Sequence, residues 1–293
     1  MKKKTKKNTI GLLILMMITI PVISIKPILG RETIQTSANR ADVPLWMIGD
    51  SWTYEEHWGE FTYYPDGSFY FRCYQNSTIT YTVTNTTGDT YTMKMSSKNI
   101  QGSFAIGVFR WTLTPFIKYR RELQIQKTDL AEVHRTYESK GPVSLFVGRM
   151  HFPIPAQFQV FEKEIFTPPM TLMPFPLIAR TNGTLPLIDH TGYCKLSLYW
   201  GFLPLLIQPG FWYRTGPTTY TCEMATIEVP AGTYDAYNVT IHNEGGGKHD
   251  YWRSYYVPEI GYFAKRSIHM DWHDTEKPYC IQEIELVSTT YTP

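Results

Sequence analysis

Three side chains of the kind that ligate a divalent metal stand two residues apart in His269-Met-Asp271-Trp-His273. On a strand, that spacing puts His269, Asp271 and His273 on one face and Ile268, Met270 and Trp272 on the other. Lys265 and Ser267 continue the polar face, so the same residues also describe the wet side of an ordinary strand. Positions two apart on a strand are separated by about 7 Å, a poor fit to a single ion. The solvated-face reading is therefore preferred, with the metal site as its competitor. His242, Glu244, His249 and Asp250 flank Gly245-Gly-Gly247 and would join such a site only if that hairpin folded alongside.

Other catalytic patterns are weak. Asp189-His190 has no partnered nucleophile, since neither G-x-S-x-G nor H-E-x-x-H occurs. Glu55 and Glu56 beside His57 are adjacent, and so point to opposite faces of a strand. Carboxylate pairs for glycoside hydrolysis are brought together by folding, and nothing in the sequence singles one out. The chain reads as a binding or structural protein rather than an enzyme, with a metal-dependent hydrolase as the enzymatic alternative and no cofactor implied.

The other candidate is apolar. Leu198 to Tyr213 (LYWGFLPLLIQPGFWY) holds Trp200, Phe202, Leu205, Leu206, Phe211 and Trp212. It is too short to span a bilayer and is interrupted by Gly201, Pro204, Pro209 and Gly210, which suggests a loop. Exposed, it would mark a ligand, partner or membrane site. Core packing is the competing account. Loops seldom bury themselves because their backbone groups need partners, which favours the exposed reading.

The element that must position these groups is clearest at Ile227 to His242 (IEVPAGTYDAYNVTIH). Pro230 has no backbone N–H and Gly232 accepts positive φ, so Pro-Ala-Gly predicts a corner between two strands. Beyond it, Tyr237, Val239 and Ile241 alternate with Asn238, Thr240 and His242, the period of a strand with one buried face. Similar rhythm recurs at Trp52/Tyr54, at Ile79/Tyr81/Val83 and at Tyr91/Met93/Met95. Pro65-Asp-Gly67 and Thr87-Gly-Asp89 supply turns. Strands also follow at Tyr220–Val229, Asp250–Val257, Tyr262–His273 and Cys280–Ser288. Gln124 to Tyr137 lacks glycine and proline and allows a short helix. Residues 153–176 carry six prolines, which predicts an extended wrap over an apolar surface rather than a central strand. With 21 Tyr and 15 Phe, the expectation is an all-β fold with minor α: one large, curved antiparallel sheet or half-barrel over residues 43–293. VPLWMIGDSW near 43 and FPLIARTNGTLPL near 175 share a Pro-Leu before a glycine turn, consistent with two degenerate repeats.

Residues 1–30 look like a signal peptide or membrane anchor. Five lysines precede an uncharged run from Ile10 to Ile25, and residues 31–42 read as a linker. Without the six leader lysines, 22 basic face 26 acidic side chains, so the basic balance belongs to the leader and nucleic acid is not a partner. Export is expected, to the extracytoplasmic space or its membrane surface. In that setting Cys73, Cys194, Cys222 and Cys280 are expected to form two disulfides. Three connectivities are available. Cys194 and Cys222 flank one long loop, which favours that pair and leaves Cys73 with Cys280. Asn76, Asn85, Asn182 and Asn238 each head a glycosylation acceptor.

The order GDSWTY, then VPAGTYDAYNVT, then YYVPEIGYFAKRS, with Gly49, Asp50, Trp52, Pro230, Gly232, Tyr234, Pro258 and Gly261, resembles uncharacterised exported proteins related to the LolA/LolB-like half-barrel group. The later motifs cover residues 220–267 and the earlier one a few positions. The resemblance implies a strongly curved antiparallel sheet around a hydrophobic cavity. Its motifs are turns and strand edges, so it carries fold rather than activity. No cysteine ends the apolar leader, so a lipoprotein-carrier role does not transfer; a cavity for an apolar, lipid-like ligand does. A cell-surface structural or adhesive module with a filled core is the alternative.

Overall fold

The computed structural model describes residues 25–26, 40–63, 69–106, 109–113, 118–147, 150–171, 173–186, 189–200, 203–214, 218–243, 251–271 and 278–293. Its first strands are β1 (Ile25–Lys26), β2 (Arg40–Ala41), β3 (Ser51–Tyr63), β4 (Phe69–Thr86), β5 (Thr90–Ile106), β6 (Phe109–Leu113) and β7 (Lys118–Gln126). Next come β8 (Asp129–Leu130), β9 (Glu132–Val147), β10 (Met150–Met170), β11 (Leu177–Ile178), β12 (Thr181–Leu185), β13 (Asp189–Trp200) and β14 (Leu203–Arg214). The last are β15 (Thr218–Val229), β16 (Gly232–Asn243), β17 (Tyr251–Val257), β18 (Tyr262–Asp271) and β19 (Pro278–Thr289). One 3-10 turn, Pro258–Ile260, is the only helical element among the described residues.

A single antiparallel sheet of 15 strands runs β12-β15-β16-β17-β18-β19-β3-β4-β5-β6-β9-β10-β13-β14, with β7 between β5 and β9. Most neighbours are joined by short turns, but β19 pairs with β3, β10 with β13 and β12 with β15 across longer stretches of chain. The sheet is not closed into a barrel, but its margins are tied at one corner. Leu185 pairs with Thr218 on one margin and His190 with Arg214 on the other. Only residues 186–188 and 215–217 lie between.

The sheet is strongly curled. Tyr81 on β4 and Tyr262 on β18 have ring centroids 6.2 Å apart, although β3 and β19 lie between their strands. In a flat sheet three strand spacings would separate them by about 14 Å. The inner face at this end is a packed aromatic core. Trp52, Tyr54, Tyr81, Tyr262 and Phe263 are buried, as are Met93, Leu123, Ile284 and Leu286. Trp46 closes it, donating its indole N–H to the Gly261 carbonyl at 3.0 Å and stacking within 5.4 Å of Trp52, Tyr91 and Tyr262.

The two-residue rhythm holds as expected. Tyr237, Val239 and Ile241 are buried, and Ile79, Tyr81 and Val83 alternate with half-buried threonines. The Pro230-Ala231 corner turns β15 into β16, with Gly232 at φ 141°. Gly261 sits at φ 63°, and a Cβ there would come within 2.5 Å of the Tyr291 ring, so two independent constraints select glycine.

Several sequence expectations are corrected. Residues 153–176 are not a wrap: β10 runs through most of them as a 21-residue strand between β9 and β13. Its prolines fall where the ladder breaks. Pro153 and Pro155 lie in the register shift between Phe152 and Ala156, and Pro168 and Pro169 in that between Ile165 and Met170. The proline-free core, Ala156 to Ile165, keeps its N–H groups for pairing. Gln124 to Tyr137 is not helical, because β7 and β9 pair through it. The linker reading of 31–42 also gives way at its end, where Arg40–Ala41 pairs with Leu177–Ile178 and Ala41 is buried. Of the leader, Ile25–Lys26 bridges Asp129–Leu130, and no helix among the described residues is long and apolar enough to cross a membrane.

The expected Cys194–Cys222 disulfide is not formed, and the register argues against Cys73–Cys280. Cys222 is a free, buried thiol. Cys73 and Cys280 both pair with Glu60, from opposite sides of β3. Two strand spacings, about 9–10 Å, exceed the roughly 7 Å a disulfide can bridge between Cα atoms. Alkylation of unreduced, unfolded protein is expected to label Cys222, and a linked Cys194–Cys222 peptide would contradict this. Trp52→Ala is expected to cost about 3–5 kcal/mol in equilibrium unfolding, since it empties the centre of the aromatic core.

Candidate functional site

Above the aromatic core the inner face changes character. Glu56, Arg121, Glu132, Arg135, Glu162, Glu164 and Arg266 are all buried, each at 3 % exposure or less. Sequence alternation places them there. Arg121 on β7 continues the row Trp52, Tyr81, Met95, and is followed by Tyr137 on β9 and Glu162 on β10. Arg135 and Glu164 face each other across β9 and β10 one inner position along. Arg266 on β18 belongs to the row of Ile284, Glu56 and Ser77.

Two ionic networks result. Arg135 hydrogen-bonds the Glu164 carboxylate through Nε, and its Nη1 lies 3.9 Å from Glu132 Oε2. Across the interior, Arg266 Nη2 donates to Gln282 Oε1 at 3.3 Å, and Gln282 Nε2 donates to Glu56 Oε1 at 2.7 Å. Ser77 Oγ donates to the second Glu56 oxygen at 2.8 Å. Arg121 belongs to neither. Its Nη2 donates a long 3.4 Å bond to the Tyr119 hydroxyl, its guanidinium lies 5.8 Å from the Tyr137 ring centroid, and its Nε is buried without an acceptor. Glu162 Oε1 and the Tyr262 hydroxyl are likewise buried without partners.

Burial of charge moves the titrations. Desolvation pushes the Glu132 carboxyl from 4.5 up to about 7, against the pull of Arg135. Glu162 is driven well above the usual carboxylate range, first by burial and then by Glu164. Burial lowers the Arg266 guanidinium, and Arg121 adds to that across the interior.

One row beyond the ionic layer mixes amide and apolar residues. Ile268, Gln282, Val143 and Ala156 are buried and share one row, which also passes through Trp58 and Leu113. Two positions further, the register sets Glu60, Cys73, Phe104, Trp111, Leu145 and Phe152 side by side. The row after that holds Phe71, Ile106, Phe109, Val147 and Met150.

The sequence candidates fall elsewhere. His269 lies on the outer face of β18, stacked at 11° on the Tyr251 ring 5.4 Å away. Asp271 ends that strand, and His273 lies outside the described residues. No group of three His, Cys, Asp or Glu side chains among the described residues could hold a metal. The 198–213 segment is not a loop. Its register runs from Trp200 opposite Leu203 back to Thr191 opposite Tyr213, so Trp200, Leu205, Leu206, Phe211 and Trp212 are strand positions, while Phe202 lies outside the described residues. Its prolines are accommodated because β14 is an edge strand. Among the described residues Leu45, Met47 and Ile48 are exposed apolar side chains, in a turn where the Met47 N–H donates to Asp50 Oδ2. Asn76, Asn85 and Asn182 are exposed and Asn238 is half-buried, with Asn76 Oδ1 3.0 Å from His57 Nδ1.

Alternation alone could have marked the buried charges: Glu56, Arg121, Arg135, Glu162 and Glu164 have the parity of their apolar neighbours. Their polarity made that parity look like noise.

No family model, curated protein or solved structure matches the chain.

The raised carboxyls give a signed pH dependence. Between 4.5 and about 7 the native state holds a proton on Glu132 that the unfolded chain releases. Stability is therefore greatest below pH 4.5, falls on the order of 3 kcal/mol as pH rises to about 7, and is flat above. Glu162 adds in the same direction. Thermal melts across this range should show the decline, and Glu132→Gln should flatten it.

Proposed function

We propose that the protein is an exported, non-enzymatic binder of an apolar, lipid-like ligand held on the concave face of its curled sheet. The observation that carries this is the layering of the inner face: a packed aromatic core, then a buried ionic layer in which the Arg121 Nε has no acceptor. An interior that served only as scaffold would be apolar throughout, because buried charges cost several kcal/mol each unless fully paired. The lysine-led apolar leader and outward acceptor asparagines fit an extracytoplasmic setting.

A surface module with a filled core is the rival reading, and the packed aromatic half suits both. The buried ionic layer supports the binder, since buried charge costs stability that a scaffold has no need to give up. Native mass spectrometry of the protein purified from an exporting host tests the choice. A co-purifying apolar molecule, released on denaturation, is the expected result. A ligand-free species that also takes up no long-chain lipid would decide for the module.

A further inference from the structure

We infer that Arg121 is the headgroup site for an anionic amphiphile, most simply a long-chain carboxylate, whose tail runs along the concave face. This rests on the ligand-binding reading above and names the ligand's polar end.

Arg121 is 3 % exposed, yet among the described residues no carboxylate lies within ion-pair distance of it. Its neighbours at bonding range are phenols: Tyr119 accepts one long hydrogen bond and the Tyr137 ring lies beside the guanidinium. The Nε–H, buried with no acceptor, is a donor the fold itself leaves unused. Arg135 is different, with Glu164 and Glu132 both supplied by the chain. A guanidinium presents a planar fork that matches a carboxylate, and desolvation strengthens the pairing. Glu162, in the same row, is driven well above the usual carboxylate range by burial, and its Oε1 makes no hydrogen bond to Arg121.

The tail has a defined course. From Tyr137, beside Arg121, β9 continues through Ser139, Gly141 and Val143, all three buried. That is about 20 Å of strand. Gly141 brings no side chain to fill the layer, and Ala156 opposite Val143 brings a small one. The ligand is thus anchored at its charged end, with its tail along this part of β9. A neutral lipid would leave Arg121 buried without a counter-charge, so the site discriminates by charge.

Binding of oleate and of oleyl alcohol is measured by titration calorimetry on the full-length exported protein and on Arg121→Met. The parent is expected to prefer oleate, and the variant to bind oleate roughly 10- to 100-fold more weakly while keeping its affinity for the alcohol. Removing an unpaired buried cation should also leave the variant's melting temperature no lower than the parent's. A large drop in melting temperature would mean that Arg121 is structural and would overturn the proposal. Where the variant fails to fold, the parent's own preference decides: equal affinity for oleate and alcohol sinks the headgroup site but leaves the ligand-binding reading standing. Failure to bind either amphiphile overturns both.

Discussion

An extended sheet with no helical layer against it can hide an apolar face only by rolling that face onto itself. Every other feature of this protein follows from that constraint. Rolling brings β18 against β4 and puts Tyr262 over Tyr81. It lets Tyr54 on β3 reach the Phe263 carbonyl through its hydroxyl at 2.8 Å, and lets the Trp52 indole donate to Ile260 at 2.7 Å. These bonds cross the interior rather than run along the ladder. They fix the curvature, because each buried aromatic polar atom needs an acceptor that only the far wall supplies.

The same rolling gathers charges that would be unremarkable on a flat sheet. Arg121 on β7 and Arg266 on β18 are five lanes apart, about 24 Å in a flat sheet, yet across the interior Arg121 adds to the lowering of the Arg266 guanidinium by burial. Arg135 is met by Glu164, and Arg266 donates to the Gln282 amide, itself bonded to Glu56. Among the described residues Arg121 is met only by the Tyr119 hydroxyl and the Tyr137 ring. The imbalance marks a position where stability has been set aside, as functional sites commonly require.

Much of the architecture was legible in the sequence. Tyr237, Val239 and Ile241 face inward because alternation with Asn238, Thr240 and His242 leaves no other face for them. The Pro-Ala-Gly corner and the Pro258–Gly261 turn form where residue chemistry demands them. Errors arose where local signals met a tertiary context that outweighed them. Proline is hostile to a ladder, but β10 places its prolines in register breaks and keeps an unbroken core between them. Gln124 to Tyr137 carries no strand signal strong enough to stand alone, and is held extended by β5 and β10 on either side. The cysteines invited pairing by number and compartment, whereas geometry puts β3 between Cys73 and Cys280.

What the sequence alone determined is a rhythm. Strands with a two-residue period, turns at glycine and proline, and an outward face of threonine and charge are local properties, set by backbone sterics and side-chain polarity. What tertiary structure decided is which charges fall inside. Glu56, Arg121, Glu162 and Arg266 are far apart in the chain, and only the curl of the sheet puts them in one desolvated layer. Their chemistry comes from mutual distance and exclusion of water, quantities that a one-dimensional pattern does not contain.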